Sequence, residues 1–247
     1  MIEIIKKITS PDKEERFNKI LSLIERDYIV EDGFDGKNII IPAASYKKLT
    51  LMAHYDVFPG SLGYNDNSSS IAVLLSLQNK VNGNIEIVFT DREELDRAGA
   101  CDYINKNNPE AVINLDVAGV GDSVFYYDTL GNFPLDFQKA YSEIYQLPSH
   151  PTCDSSATSY AGIPSLLVSA SYADSPDPIG EILKTMHNEQ LDNRIEIISE
   201  DVLGKVKTFV LNLTELFYNK NERVLSFKSV NGVETPNLGV STERRLK

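Results

Sequence analysis

Leu49-Thr50-Leu51-Met52-Ala53-His54-Tyr55-Asp56 and Ile85-Glu86-Ile87-Val88-Phe89-Thr90-Asp91-Arg92-Glu93-Glu94 decide the fold. Each is a short apolar run that stops abruptly in histidine or carboxylates. Runs of this kind read as strands buried on both faces, the habit of parallel sheets. Between them, Asp66 stands before a helical run with Ile71, Leu74, Leu75 and Leu77 on its inner face. A third apolar run, Ala111 to Leu115, ends in Asp116. In open α/β sheets, ligands collect beyond the carboxyl ends of the strands. The polar strand ends therefore mark the place to look for a site.

Toward the N-terminus, Ser10-Pro11 reads as a helix start. Phe17, Ile20, Leu21 and Ile24 recur at helical spacing, and the helix is predicted to end near Asp27. Residues 28–30 and 38–41 read as strands around the turn Asp32-Gly33-Phe34-Asp35-Gly36. Toward the C-terminus, helices are predicted over 67–80 and 94–107, and an antiparallel or edge strand over 123–127. A helix over 134–146 would turn Phe137, Ala140, Tyr141 and Ile144 inward. Short helices follow Asp154 and cover 179–183, with a strand at 165–169 between them. The last helix spans 200–218 and carries Val202, Leu203, Val206, Phe209, Val210, Leu213 and Leu216. Alternating strands and helices predict an α/β class, a single-domain three-layer sandwich with a mostly parallel central sheet. The domain is expected over 1–222. Residues 223–247 form a tail, with a hairpin candidate at Asn231-Gly232, and not a separate domain.

The 247 residues carry 24 Lys plus Arg against 36 Asp plus Glu, a formal net charge of -12. Such a chain repels phosphate backbones, so nucleic acid is not expected as a partner. The two cysteines, Cys101 and Cys153, imply no disulfide framework. No signal-peptide core opens the chain and no apolar run is long enough to span a bilayer. A cytoplasmic location without membrane partner is expected, with homo-oligomerisation left open.

Taken singly, each polar residue at the strand ends has an ordinary reading. His54-x-Asp56 is an exposed pair at a strand end, Asp66 a helix cap, and Glu93-Glu94 a solvated helix start. Taken together, they are a mixed imidazole and carboxylate set. Residues two apart on an extended segment share a side, so Asp56 can hold the proton of the His54 ring while the ring binds a cation. Asp66 can span two cations, and Glu93 and Glu94, pointing differently, can serve water and metal. Only His54, His150 and His187 exist in the chain. Such a nitrogen and oxygen set suits two divalent ions, zinc first, with manganese or cobalt as alternatives. Ions bridged in this way lie about 3.5–4 Å apart and acidify a water between them.

The series His54-x-Asp56, Gly63-Tyr64-Asn65-Asp66-Asn67, Glu93-Glu94, Asn114-Leu115-Asp116 and His187 resembles the aminopeptidase Y-type family of co-catalytic di-zinc exopeptidases, over residues 48–190. The resemblance implies a zinc exopeptidase-like fold and an aminopeptidase acting on peptides. It also implies metal ligands at His54, Asp66, Glu94, Asp116 and His187, with Asp66 the bridge. Asp56 would be the orienting acid and Glu93 the general base. Asp154 with Ala161-Gly162-Ile163-Pro164-Ser165 also resembles the glutamyl aminopeptidase family. That family carries a lid between its first histidine and the bridging aspartate; His54 and Asp66 leave no room for one. Where the first family often has Ser-Asp-His, this chain has Cys153-Asp154-Ser155. Asp154 is a candidate substrate contact, and Tyr64, Tyr160 and Tyr172 are candidate donors to the oxyanion. His150 receives no role, and Cys153 reads as a packed residue. The rival readings are another metal-dependent amide hydrolase (a carboxypeptidase or acyl-amino-acid hydrolase), a single-zinc glutaminyl cyclase, and a non-catalytic binding protein on the same fold.

Overall fold

The computed structural model describes residues 1–34, 36–44, 48–81, 83–187 and 190–230, of which 221–230 are described in backbone only. Among the described residues, eight strands form one sheet: β1 (Ile29–Asp32), β2 (Lys37–Ile41), β3 (Leu49–His54), β4 (Ile85–Thr90), β5 (Ala111–Leu115), β6 (Ser123–Asp128), β7 (Ile144–Gln146) and β8 (Ser165–Ser171). Their order is β1-β2-β4-β3-β5-β8-β6-β7. The central four, β4-β3-β5-β8, are parallel. β1, β2 and β6 join antiparallel to a neighbour, and the edge strand β7 runs parallel to β6.

Alternation sorts the β3 side chains to two covered faces. Leu51 and Ala53 pack with Ile71 and Leu74 of α3 (Ser70–Leu77) and with the terminal helix, which runs Glu200–Val230. Met52 packs on the other face, with Ala100 and Tyr103 of the helix Ala98–Lys106 and Ala157 of the helix Asp154–Tyr160. Because both faces are covered, all six residues of β3 and all six of β4 are buried. The chain leaves β3, crosses to β4 on one side, and then returns to β5 on the other. β3 is thus a topological switch point, where a crevice opens at the strand ends. His54 lies opposite Thr90 there.

Several expected elements differ. An unexpected helix, α1, occupies Ile2–Ile8, with Ile5 and Ile8 in the core. α2 runs Lys13–Leu21, and its cap is Asp12, which accepts the Glu15 N–H at 2.7 Å. It stops short of Asp27 because the Gln78 amide, accepting from the Glu25 N–H and donating to the Leu23 carbonyl, holds the following segment in a turn. The helix expected at 94–107 breaks at Arg97 (φ 57) into α4 (Glu93–Asp96) and α5 (Ala98–Lys106). Residues 134–146 are not a helix: a 3₁₀ turn at Phe137–Lys139 leads into β7. The apolar residues there anchor a loop, with Phe137 against Tyr126 at 4.6 Å and the Ala140 carbonyl held by Asn212. β6 lies inside the sheet, between β8 and β7. The helix α6 is Asp154–Tyr160 and α7 is Pro178–Lys184. The last helix, α8, continues past residue 218 to Val230. The hairpin expected at Asn231-Gly232 lies outside the described residues.

Candidate metal centre

Each polar strand end contributes to one cluster. His54 closes β3 with its ring 2% exposed. Its Nδ1 lies 3.3 Å from Asp56 Oδ1, while its Nε2 lies 3.1 Å from Asp66 Oδ1 and 3.5 Å from Asp116 Oδ1. A proton on Nδ1, shared with Asp56, leaves the Nε2 lone pair for a cation. Asp56 also accepts the backbone N–H groups of Glu93 (3.0 Å) and Glu94 (3.2 Å), so one carboxylate aligns both the imidazole and the glutamate turn. Burial opposes ionisation of Asp56, but His54 and these N–H donors outweigh it and hold its carboxyl below the usual range.

The second half forms around the other Asp66 oxygen. His187 Nε2 lies 3.4 Å from Asp66 Oδ2 and 2.7 Å from Glu94 Oε2. The result is two trios, His54-Asp66-Asp116 and Asp66-Glu94-His187, each with ligand atoms within 4.8 Å of one another and sharing Asp66. Asp66 Oδ2, Asp116 Oδ1 and Glu94 Oε1 are buried without a hydrogen-bond partner. Buried oxygens of this kind are costly unless something positive meets them. Burial works against a charged His54 ring, yet Asp116, Asp56 and Asp66 carry its pKa well above the ordinary value. Burial raises Asp116 and Glu94, and pushes Glu93 up to about 10, with Asp116, Asp154 and Asp66 adding to the effect. The donor set fits two divalent cations of the zinc type.

Asp66 is held by a turn that is polar and buried throughout. Residues 64–69 wind irregularly, and the Asp66–Asn67 peptide is cis. Gly63, at φ 65, opens the turn, and a Cβ there would meet the Asp66 carbonyl at 2.5 Å. Asn65 Oδ1 accepts the Gly119 N–H at 2.8 Å, and its Nδ2 reaches Thr185 at 2.9 Å. Asn67 donates to the Leu115 carbonyl and accepts the Val117 N–H. The turn thus stitches the Asp116 loop to the segment before His187.

Two fully buried charges, unforeseen from the sequence, brace this turn. Asp192 Oδ1 accepts the N–H groups of Asn65 (2.7 Å) and Asp66 (3.1 Å), and Ser61 bonds its other oxygen. Arg16, from α2, donates to the carbonyls of Leu62 (3.2 Å) and Gly63 (3.5 Å). Burial pulls the Arg16 pKa down to about 10, while Asp192, Asp56, Asp66 and Glu94 hold it up. It sets a fixed positive charge beneath the acidic cluster. No local motif announces either residue; their buried settings in the folded chain are the only signal.

The expected substrate contacts fare differently. Asp154 is fully buried, bonds Thr90 through one oxygen, leaves Oδ1 without a partner, and is pushed up to about 7 by burial. It backs the cluster and offers no surface to substrate. Tyr64 is partly buried against the main core. Tyr160 is 87% exposed and Tyr172 45%. Among the described residues no hydrogen bond or ion pair ties any of the three tyrosines to the cluster. The oxyanion roles expected of them rested on residue type alone.

The fold matches solved structures at low identity. A zinc aminopeptidase from Bacillus subtilis aligns at 22% identity and TM-score 0.59, over 72% of this chain and 49% of that one. The chain thus spans about half the length of that relative. A glutaminyl cyclase from Porphyromonas gingivalis aligns at 18% identity and TM-score 0.67, over 87% and 96%. A leucine aminopeptidase precursor from Bacteroides thetaiotaomicron aligns at 17% identity and TM-score 0.63, over 85% and 94%. No curated protein sequence matches the chain. The sequence model of peptidase family M28 matches residues 38–169, more than half of the chain and the stretch that supplies β2 to β8 and four of the five clustered ligand candidates. The chain belongs to peptidase family M28.

Proposed function

We propose that the protein is a two-metal aminopeptidase that releases single residues from the free N-terminus of peptides. The observation that carries this reading is the pair of trios sharing Asp66. His54, Asp66 and Asp116 would hold one divalent ion and Asp66, Glu94 and His187 the other, with zinc the metal expected and manganese or cobalt as alternatives. When bound, such ions supply Lewis acidity toward a carbonyl and lower the pKa of water. Glu93 acts as the general base: its carboxylate takes a proton from the attacking water and gives it to the leaving amine. Asp56 fixes the geometry of both partners, through the His54 ring and the Glu93 N–H. The carboxylates gathered at the crevice suit the substrate's α-amine.

The rivals differ in what they require. A carboxypeptidase would need a cation facing the crevice, and Arg16 is engaged beneath the turn. A single-zinc cyclase would not need His54. Matched peptides with free, acetylated and amidated ends, digested by the zinc-loaded protein and read by mass spectrometry, separate these activities. Stepwise N-terminal shortening of the free and amidated peptides, with the acetylated one intact, is expected. C-terminal shortening or cleavage of the acetylated peptide would overturn the reading.

A further inference from the structure

α2 (Lys13–Leu21) lies outside residues 38–169, the stretch that matches the family, yet it reaches three of the segments that build the cluster. Lys13 Nζ pairs at 3.0 Å with the buried Asp91 carboxylate, just past β4 and two residues before Glu93. The Phe17 ring meets Tyr55, which stands between His54 and Asp56, at 5.7 Å. Arg16 is fully buried and donates to the carbonyls of Leu62 and Gly63, where the turn bearing Asp66 begins. The fit there is close. A Cβ built on Gly63 would lie 3.4 Å from Arg16 Nη1 and 2.5 Å from the Asp66 carbonyl oxygen.

The two carbonyls need only a donor, and a neutral amide could serve. A buried guanidinium is costly beyond that need. Its Nε finds no hydrogen-bond partner, and among the described residues no carboxylate pairs with it. The acids that favour its charge against burial are Asp192, Asp56, Asp66 and Glu94, two of them ligand candidates. The charge is therefore not consumed by one partner and acts on the cluster as a whole.

We propose that Arg16 is a positioning residue with a second role: it locks the Asp66 turn by its hydrogen bonds, and by its fixed positive charge it holds down the affinity of the cluster for divalent ions. The inference rests on the two-metal reading of that cluster. A fixed cation repels a divalent ion, and through a partly screened interior this repulsion changes affinity by on the order of tenfold.

The test is zinc titration calorimetry against a competing chelator, on wild type, Arg16→Gln and Arg16→Lys, with thermal melts to establish folding. Glutamine keeps a donor for the turn and loses the charge; lysine keeps both. Arg16→Gln is expected to bind zinc about tenfold more tightly than wild type, and Arg16→Lys to match wild type. The same pair of measurements on Asp192→Asn, with and without Arg16→Gln, repeats the comparison where Asp192 no longer calls for a counter-charge. The same gain is expected there, and that background decides if Arg16→Gln alone does not fold. Unchanged or weaker zinc binding on loss of the charge would overturn the proposal and leave the metal centre standing. Equal shifts in the glutamine and lysine variants would also overturn it, leaving Arg16 a structural brace only. A wild type that binds no zinc would overturn both this inference and the two-metal reading.

Discussion

The Phe58 ring stacks on the His187 imidazole, with centroids 4.6 Å apart and planes at 15°. His187 sits at φ 50 in a loop, its side chain 40% exposed, whereas the His54 ring at the end of β3 is 2% exposed. The two halves of the cluster therefore differ in rigidity. One histidine is fixed by the sheet; the other depends on Phe58 and on Glu94.

Phe58→Ala should accordingly weaken the ion held with His187 and leave the His54 position intact. Loss of a group that orients a ligand typically costs about 10–100-fold in metal affinity. Zinc titration calorimetry should show the weaker of two binding steps shifted by that amount. Two unshifted steps would remove Phe58 from this role.

The adjacent glutamates should separate in opposite ways. Glu94→Ala removes a member of the His187 trio and should lower zinc content. Glu93→Gln should keep the zinc and lose about 10²–10⁴-fold in turnover, because an amide cannot accept the water's proton. Zinc content and kcat measured on both variants check this. Near-normal turnover by zinc-loaded Glu93→Gln would contradict the assignment.

Asp192 tests the support of the Asp66 turn. Asp192→Ala leaves the Asn65 and Asp66 N–H groups buried without an acceptor, at about 1–3 kcal/mol each. Asp192→Asn retains an oxygen that can accept both. Chemical denaturation should find the alanine variant much less stable than the asparagine one. Equal losses would mean that the carboxylate charge, and not the pair of N–H bonds, is what the turn needs.

Stability of the metal-free protein should fall as pH rises. Burial raises Glu93 to about 10 and Asp154 and Asp192 to about 7, above their ordinary 4.5 and 3.8. Folded, these groups keep protons that the unfolded chain has released, so their stabilisation is full below the ordinary values and is lost as pH climbs through about 7 and then about 10. The raised pKa of His54 acts in the same direction. Urea midpoints of the metal-free protein should be lower near pH 9 than near pH 6, and zinc should flatten the difference by supplying the missing positive charge. A midpoint that rises with pH would contradict this.

The parallel core of the fold was legible because β3, β4 and β5 are covered on both faces and therefore read as unbroken apolar runs. The polar residues that end those runs, with Asp66 and His187, are the ones the fold gathers. What stayed hidden depends on contacts distant in the chain. Phe137, Ala140 and Ile144 have helical spacing but are spent anchoring a loop to Tyr126 and α8. The break at Arg97 follows from Gly99 packing on the Asp91 backbone, where a Cβ would come within 2.2 Å. Arg16 and Asp192 are ordinary surface residue types by composition, and only the buried turn at 61–66 gives them work.

The shared carboxylate of Asp66 is the centre of the account, and the number of tightly bound ions tests it most directly. Elemental analysis of the purified protein after zinc loading and removal of loosely bound metal should approach two zinc per chain, as two trios require. Asp66→Ala should lose at least one. A saturated wild type that holds a single tight zinc would contradict the two-metal centre.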